Sequence, residues 1–118
     1  MRKKQGNFSK QVFAGKIKDE LNMILRRDMN DRRFSMMSIT RVELNDDYSK
    51  AEVYWDTFDP GIRGDLMAAV SGVRSRLRSI LAKQLNVRHT PDLELIYDSQ
   101  FEDEKRIESL LSTDSVGE

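Results

Sequence analysis

The chain has 118 residues, of which 38% are hydrophobic and 34% charged, with nine aromatics and no cysteine. That length supports one domain around a single core, the hydrophobic share excludes a disordered chain, and the missing cysteines exclude disulfides and thiolate chemistry. Lys and Arg together number 20, as do Asp and Glu, a balance that on its own argues against a nucleic-acid binder.

Residues 1–8 are polar, contain Gly6 and Asn7, and read as a flexible basic arm carrying Arg2, Lys3 and Lys4. No apolar signal-peptide core follows this start, and no apolar run is long enough to span a bilayer. A cytoplasmic protein is the simplest account. Ser9 is placed to cap a helix that runs to about Met29. Val12, Phe13, Ile17, Leu21, Ile24, Leu25 and Met29 recur at steps of three and four and form its apolar stripe. Asp31 to Phe34 is a polar break.

Around Met37 the period falls to two. Thr40, Val42 and Leu44 alternate with Arg41, Glu43 and Asn45, as in a half-buried strand. Asn45-Asp46-Asp47 supplies turn chemistry, after which Ala51, Val53 and Trp55 alternate with Glu52, Tyr54 and Asp56. The pair predicts an antiparallel hairpin, ended by Asp59-Pro60-Gly61. A second helix follows, with Leu66, Ala69, Val70, Val73, Leu77, Ile80, Leu81 and Leu85 on one broad apolar arc. Arg74 and Arg78 flank that arc on one side, Arg76 and Lys83 on the other. Asn86 stops the helix and Pro91 confirms the break. Leu93, Leu95 and Tyr97 mark a third strand, Ile107, Leu110 and Leu111 a short last helix, and residues 112–118 a frayed acidic tail. The order helix–strand–strand–helix–strand–helix predicts an α+β sandwich with helices on one face of a small sheet.

Charge is segregated along this order. Residues 1–18 carry six bases and no acid, and residues 66–91 carry five bases (Arg74, Arg76, Arg78, Lys83, Arg88) and no acid. Residues 19–65 and 92–118 carry all the acids. If the basic blocks meet in space they form a positive face opposed by a negative one, suited to docking on a polyanion in one orientation.

An enzyme is the weakest reading. His89 is the only histidine, so the usual zinc ligand sets are excluded, and it reads as a loop residue or a phosphate-facing side chain. Asp46-Asp47 and Glu102-Asp103-Glu104 read as solvated turn and capping groups, since no phosphate-binding loop accompanies them. Gly61-Ile62-Arg63-Gly64 has the spacing of the loop by which KH domains clamp RNA, but it joins a strand to a helix, and reads better as the flexible start of that helix.

Three groups of residues carry a resemblance. They are Glu20-Leu21, Ile24-Leu25, Asp31 and Arg33; then Val42, Leu44, Asp47, Ala51, Val53 and Tyr54; then Arg78-Ser79, Arg88, Pro91, Leu93, Leu95, Asp98, Arg106, Ile107 and Leu110. In this order and spacing the chain resembles the ribosome-binding factor A family. The resemblance implies a type II KH-like domain over residues 9–111, with a kinked second helix in place of the Gly-x-x-Gly clamp. It also implies a non-catalytic, cofactor-free assembly factor that binds rRNA of the immature small (30S) subunit, assists late rRNA maturation and is often needed in the cold. Its partners would be small-subunit rRNA, free small subunits and neighbouring ribosomal proteins, with no membrane, and the protein would be a monomer.

Two departures stand out. The family's Ala-x-Gly at the kink falls on Val73-Arg74-Ser75, and the proline usual between Asp31 and Arg33 is Arg32. A kink is still expected between Gly72 and Ser75, because an unbroken helix from Leu66 to Leu85 would be about 30 Å long and overhang a small sheet. The expected RNA-binding residues are Arg2, Lys3, Lys4, Arg74, Arg76, Arg78, Lys83 and Arg88. The alternative from another class is a protein-interaction module acting through the acidic C-terminal helix.

Overall fold

The apolar periodicities become two long helices and three strands in the computed structural model, which describes residues 2–98, with side chains from residue 10 onward. Helix α1 spans Arg2–Arg27 and is followed by a 3₁₀ turn, Arg32–Met36. Strands β1 (Met37–Leu44) and β2 (Lys50–Thr57) lead through a second 3₁₀ turn, Pro60–Ile62, to helix α2 (Arg63–Leu85) and strand β3 (Asp92–Tyr97). The sheet order is β1-β2-β3, with β2 antiparallel to β1 and parallel to β3. This is the expected α+β, KH-like arrangement. The expected last helix and the acidic tail lie outside the described residues.

Register places three apolar rows on one face of the sheet: Ile39-Trp55-Tyr97, Val42-Val53-Leu95 and Leu44-Ala51-Leu93. Ile17, Leu21, Ile24 and Leu25 of α1 and Leu66, Val70, Leu77, Leu81 and Leu85 of α2 close over it, all buried. Ala69, Val73 and Ile80 are partly buried at the margin of that core. Trp55 is 1% exposed and meets Tyr97 edge-on at 5.1 Å. Val12, expected on the apolar stripe, is instead 54% exposed.

The strand β1 contains a bulge that period-two reading misses. Met37 and Ile39 are odd-numbered, Val42 and Leu44 even-numbered, yet all four must face the helices. The register shifts between Ile39 and Arg41, so one extra residue reconciles the two sets. That residue is Thr40, which was expected to point inward and is exposed; its hydroxyl lies 2.6 Å from Asp98 Oδ2 and 3.2 Å from the Tyr54 carbonyl. At the same point Asn22 of α1 stands in for a neighbouring strand. Its Oδ1 accepts from the Ile39 N–H at 2.8 Å and its Nδ2 donates to the Ile39 carbonyl at 3.2 Å.

Three helix expectations are corrected. α1 begins at Arg2, so the expected flexible arm forms its first turns and Ser9 lies inside it. Arg, Lys and Gln favour helix, and Gly6 alone is not enough to stop it. Its end at Arg27, with the Asp28 N–H still donating to the Ile24 carbonyl at 2.8 Å, agrees with the expected end at about Met29. α2 passes through Gly72–Ser75 without interruption, so the expected kink does not break it. Gly72 keeps a negative φ and nothing stands within 4 Å of where its Cβ would be, so neither backbone nor packing forces a break. At 23 residues α2 is about 34 Å long, and a body 59 Å in its longest dimension accommodates it. Its end is as expected: Asn86 adopts the left-handed conformation at φ 53°, and its N–H donates to the Ala82 carbonyl.

Asp31 caps the first 3₁₀ turn by accepting from the Arg33 N–H at 3.0 Å, and pairs with the Arg33 guanidinium at 2.6 Å. The guanidinium bond first, and the N–H second, hold the Asp31 carboxyl below its ordinary value. A carboxylate depressed on folding adds stability above its unfolded pKa, about 3.9, and loses it as pH falls through the lower folded value. Thermal unfolding between pH 7 and pH 3 should therefore show a shallower loss of Tm for Asp31→Asn than for wild type. Leu77 is 1% exposed in the centre of the α2 arc. Leu77→Ala should cost about 2–5 kcal/mol in urea unfolding, whereas an unchanged midpoint would mean that the arc is not the structural core.

Candidate nucleic-acid interface

The basic margin of α2 is a consequence of its apolar arc. Once Leu77 and Leu81 turn to the sheet, Arg74 and Arg78 emerge on one side and Arg76 and Lys83 on the other, all exposed. The left-handed Asn86 turns the chain back, and the segment Val87–Pro91 then runs beside α2 to β3. Arg78 fastens that segment. Its Nη2 donates to the Thr90 carbonyl at 2.8 Å, its Nε is shared between the Thr90 and Pro91 carbonyls at 3.2 Å, and Nη1 lies 3.3 Å from Asp92 Oδ1.

This fastening makes a groove of about 430 Å³ between α2 and the returning segment, lined by Arg74, Arg78, Arg88 and His89 with the hydroxyls of Ser75 and Ser79 among its walls. Asp92, already paired with Arg78, is its acid. Arg74, Arg76, Lys83 and Arg88 make no ion pair or side-chain hydrogen bond with another described residue. Their donors are directed to solvent. A concave surface with several guanidinium groups and hydroxyls is chemically suited to phosphate oxygens, which arginine binds through paired N–H donors.

The structure thus gathers Arg74, Arg78 and Arg88 from the expected set. Arg76 and Lys83 stand on the other margin of α2 and do not line the groove. Arg2, Lys3 and Lys4 fall in the first turn of α1, and their side chains lie outside the described ones. Arg78 differs from the expectation in kind, since it builds the groove with donors already committed to backbone. His89, expected as a loop or phosphate-facing residue, lines the groove, whereas the serines were missed, although their spacing beside Arg74 and Arg78 was visible in the sequence.

The opposite face of the sheet carries Glu43, Glu52, Asp56 and Glu94 around Arg41 and Tyr54, and no described helix lies on it. The Arg41 guanidinium sits 3.8 Å from the Tyr54 ring centre and pairs with Glu43. Burial first, then the Glu52 carboxylate that accepts from its hydroxyl, push the Tyr54 phenol up. Gly61 and Gly64 form no clamp. The Gly61 N–H donates to Asp59 Oδ1 at 2.9 Å in the turn that starts α2, and the Arg63 guanidinium lies over Tyr97 at 5.3 Å. Among the described residues no group of three or more His, Asp or Glu stands together as metal ligands, and no helix is long and apolar enough to cross a membrane.

Residues 9–111 match the family model for ribosome-binding factor A. The chain is 40% identical over 94 residues to a ribosome-binding factor A of Syntrophomonas wolfei, covering 77% of each chain. It is 38% identical over 101 residues to one from Heliobacterium modesticaldum, covering 85% of this chain and 84% of the relative. Its fold is similar to the crystal structure of ribosome-binding factor A from Thermus thermophilus, with TM-score 0.66 and 25% identity over 75% of this chain and 93% of that one. It is also similar, with TM-score 0.59 and 25% identity over 72% and 90% of the two chains, to a homology model of the Thermus thermophilus factor fitted into a cryo-EM map of its complex with the 30S subunit.

Arg78→Ala leaves two backbone carbonyls without their charged donor. Because the guanidinium is about half exposed, the expected cost is at the low end for charge-assisted bonds, about 1–2 kcal/mol. Arg78→Lys should recover only part of it, since an ammonium does not reproduce the planar fork. Urea unfolding midpoints, with faster hydrogen exchange in residues 87–91, check both.

Proposed function

The chain belongs to the ribosome-binding factor A family, and on that premise we propose that it is a non-catalytic assembly factor that binds rRNA of the immature 30S subunit and assists its late maturation. The observation that carries this reading is the groove beside α2, where Arg74 and Arg88 offer guanidinium groups uncommitted to other described residues, on a helix whose apolar arc packs against the sheet. Such contacts position a protein on RNA without reading sequence. Recognition would come from the shape of the rRNA and from adjoining ribosomal proteins.

Arg76 and Lys83 on the far margin of α2, with Arg2, Lys3 and Lys4 at the start of α1, would add attraction over a wider surface, and residues 9–111 would form the binding domain. The Glu-rich sheet face would be repelled by the same polyanion, so only one orientation is favoured. We place the activity in the cytoplasm, with the protein acting as a monomer on free small subunits and their precursors, needing no cofactor, and mattering most in the cold, when misfolded rRNA is slowest to rearrange.

The combined change Arg74→Glu, Arg76→Glu and Arg88→Glu tests it. It takes residues 66–91 from five positive charges to a net charge of minus one. All three side chains are exposed, so stability should change by less than about 1 kcal/mol. Co-sedimentation with small subunits should be lost, and residual RNA binding should show a shallower salt dependence, by roughly 0.7–0.9 in log–log slope for each phosphate contact removed. A folded variant that co-sediments as well as wild type would show that this margin of α2 is only a solvated surface. Affinity independent of salt would favour a protein partner instead.

A further inference from the structure

A second concavity adjoins the basic groove and has a different character. It is a cleft of about 900 Å³, open to solvent, and shares Arg78, Val87, His89, Thr90 and Asp92 with the groove. Its other wall is apolar and aromatic: Val12 and Phe13 from α1, and Tyr48 from the β1–β2 loop. The Phe13 and Tyr48 rings stack at 5.9 Å with 20° between their planes. Val12 and Val87, 54% and 41% exposed, leave apolar surface facing solvent here. Asp47 and Ser49 complete the rim.

Tyr48 is held in an unusual conformation. Its φ is +64°, in the left-handed region where a bulky side chain is an outlier and Gly or Asn is the ordinary choice. The loop enforces it. Lys50 N–H donates to Asn45 Oδ1, Ser49 N–H to Asp47 Oδ1, Tyr48 N–H to the Asn45 carbonyl and Asp92 N–H to the Ser49 carbonyl. A glycine would satisfy the same turn without strain, so the turn alone does not account for a tyrosine. Backbone strain kept beside a cleft points to a use for the side chain.

Charge decides what the cleft can accept. With Asp92 paired to Arg78, Asp47 is the carboxylate that repels a phosphate from the rim, whereas Arg74 and Arg88 attract one in the adjoining groove. Aromatic walls stack on bases, and a carboxylate only accepts hydrogen bonds. Its bonds from Ser49 lower the Asp47 pKa and keep it ionised. The cleft volume falls within the roughly 300–1,000 Å³ of small-molecule sites. Resting on the rRNA reading above, we infer that the cleft receives one unpaired base bearing an exocyclic amine, stacked on the Tyr48–Phe13 wall with its amine toward Asp47, while the flanking phosphates lie on Arg74 and Arg88. The protein then holds a splayed-out nucleotide as well as a backbone.

The test uses the full chain and labelled single-stranded oligomers of cytidine or uridine, about eight nucleotides long, followed by fluorescence anisotropy. These bases differ where cytosine carries its amine and uracil a carbonyl. The cytidine oligomer should bind about tenfold more tightly, as one charge-assisted hydrogen bond allows. Tyr48→Gly should weaken cytidine binding about tenfold with an unchanged salt slope, because no phosphate contact is lost. It also removes the left-handed strain, so a thermal melt should show a folded protein. Tyr48→Phe keeps the ring and should bind as wild type. Equal affinity for the two oligomers, or undiminished binding by folded Tyr48→Gly, would overturn the assignment. So would a wild-type chain that binds neither oligomer, and co-sedimentation with small subunits would then decide separately whether the rRNA reading stands.

Discussion

The constraint on which this structure depends is that a three-stranded sheet buries only one face. Two helices suffice to cover the rows Ile39-Trp55-Tyr97, Val42-Val53-Leu95 and Leu44-Ala51-Leu93, and no described helix lies on the other side. The result is a slab 18 Å thick in its shortest dimension, with no polar or charged residue in its described core. In a chain that is 34% charged, charge must then be sorted between two broad surfaces. A protonatable or ionic group at the centre would cost several kcal/mol with no partner layer to satisfy it. Among the described residues, the one side-chain polar atom buried without a partner is the Trp55 indole nitrogen. It belongs to a ring whose large apolar area outweighs that single lost bond.

One-sided burial also explains why β1 needs its bulge. A strand covered on both faces tolerates either parity, whereas here a slip of one residue would turn Met37 and Ile39, or Val42 and Leu44, to solvent. Inserting Thr40 between the two pairs resolves this locally, and Asn22 satisfies the Ile39 amide and carbonyl at the disturbed edge. The change of parity was written in the sequence, since the odd apolar pair precedes the even one. A period-two pattern counted from Thr40 begins after the change and does not contain it.

The apolar pattern fixed most of the fold because burial is a one-dimensional signal: the α2 arc, both hairpin strands, the Asn86 stop and the Leu93–Tyr97 strand all follow from spacing. What spacing does not carry is which donors are spent. Arg74 and Arg78 are one turn apart on the same margin and look alike in the sequence. One remains available, while the other is tied to the Thr90 and Pro91 carbonyls. That difference depends on where the chain returns after Asn86, a tertiary fact. Tyr48 is a related case: its left-handed φ is held by hydrogen bonds within the β1–β2 loop and by one from Asp92 of β3 to that loop, rather than by its own preference. The uninterrupted α2 shows the converse error. A helix-breaking expectation drawn from domain width failed because the body is longer than a compact domain of this size would be, and Gly72 has no neighbour that its Cβ would strike.

Arg78 links these levels. Its apolar neighbour Leu77 buries, which turns Arg78 to the margin; its guanidinium then draws the returning segment against α2; that segment brings Arg88 and His89 toward Arg74 and closes the wall shared with the Tyr48 cleft. A lysine there would keep the charge but not the span across two carbonyls. The groove is therefore not a set of arginines that happen to lie near one another. It is the product of one side chain that gives up most of its own donors to position those of its neighbours, and its geometry should be only as rigid as that bond set. A ligand that binds across the groove and the cleft would stabilise the segment between them, and so couple its affinity to the order of residues 87–91.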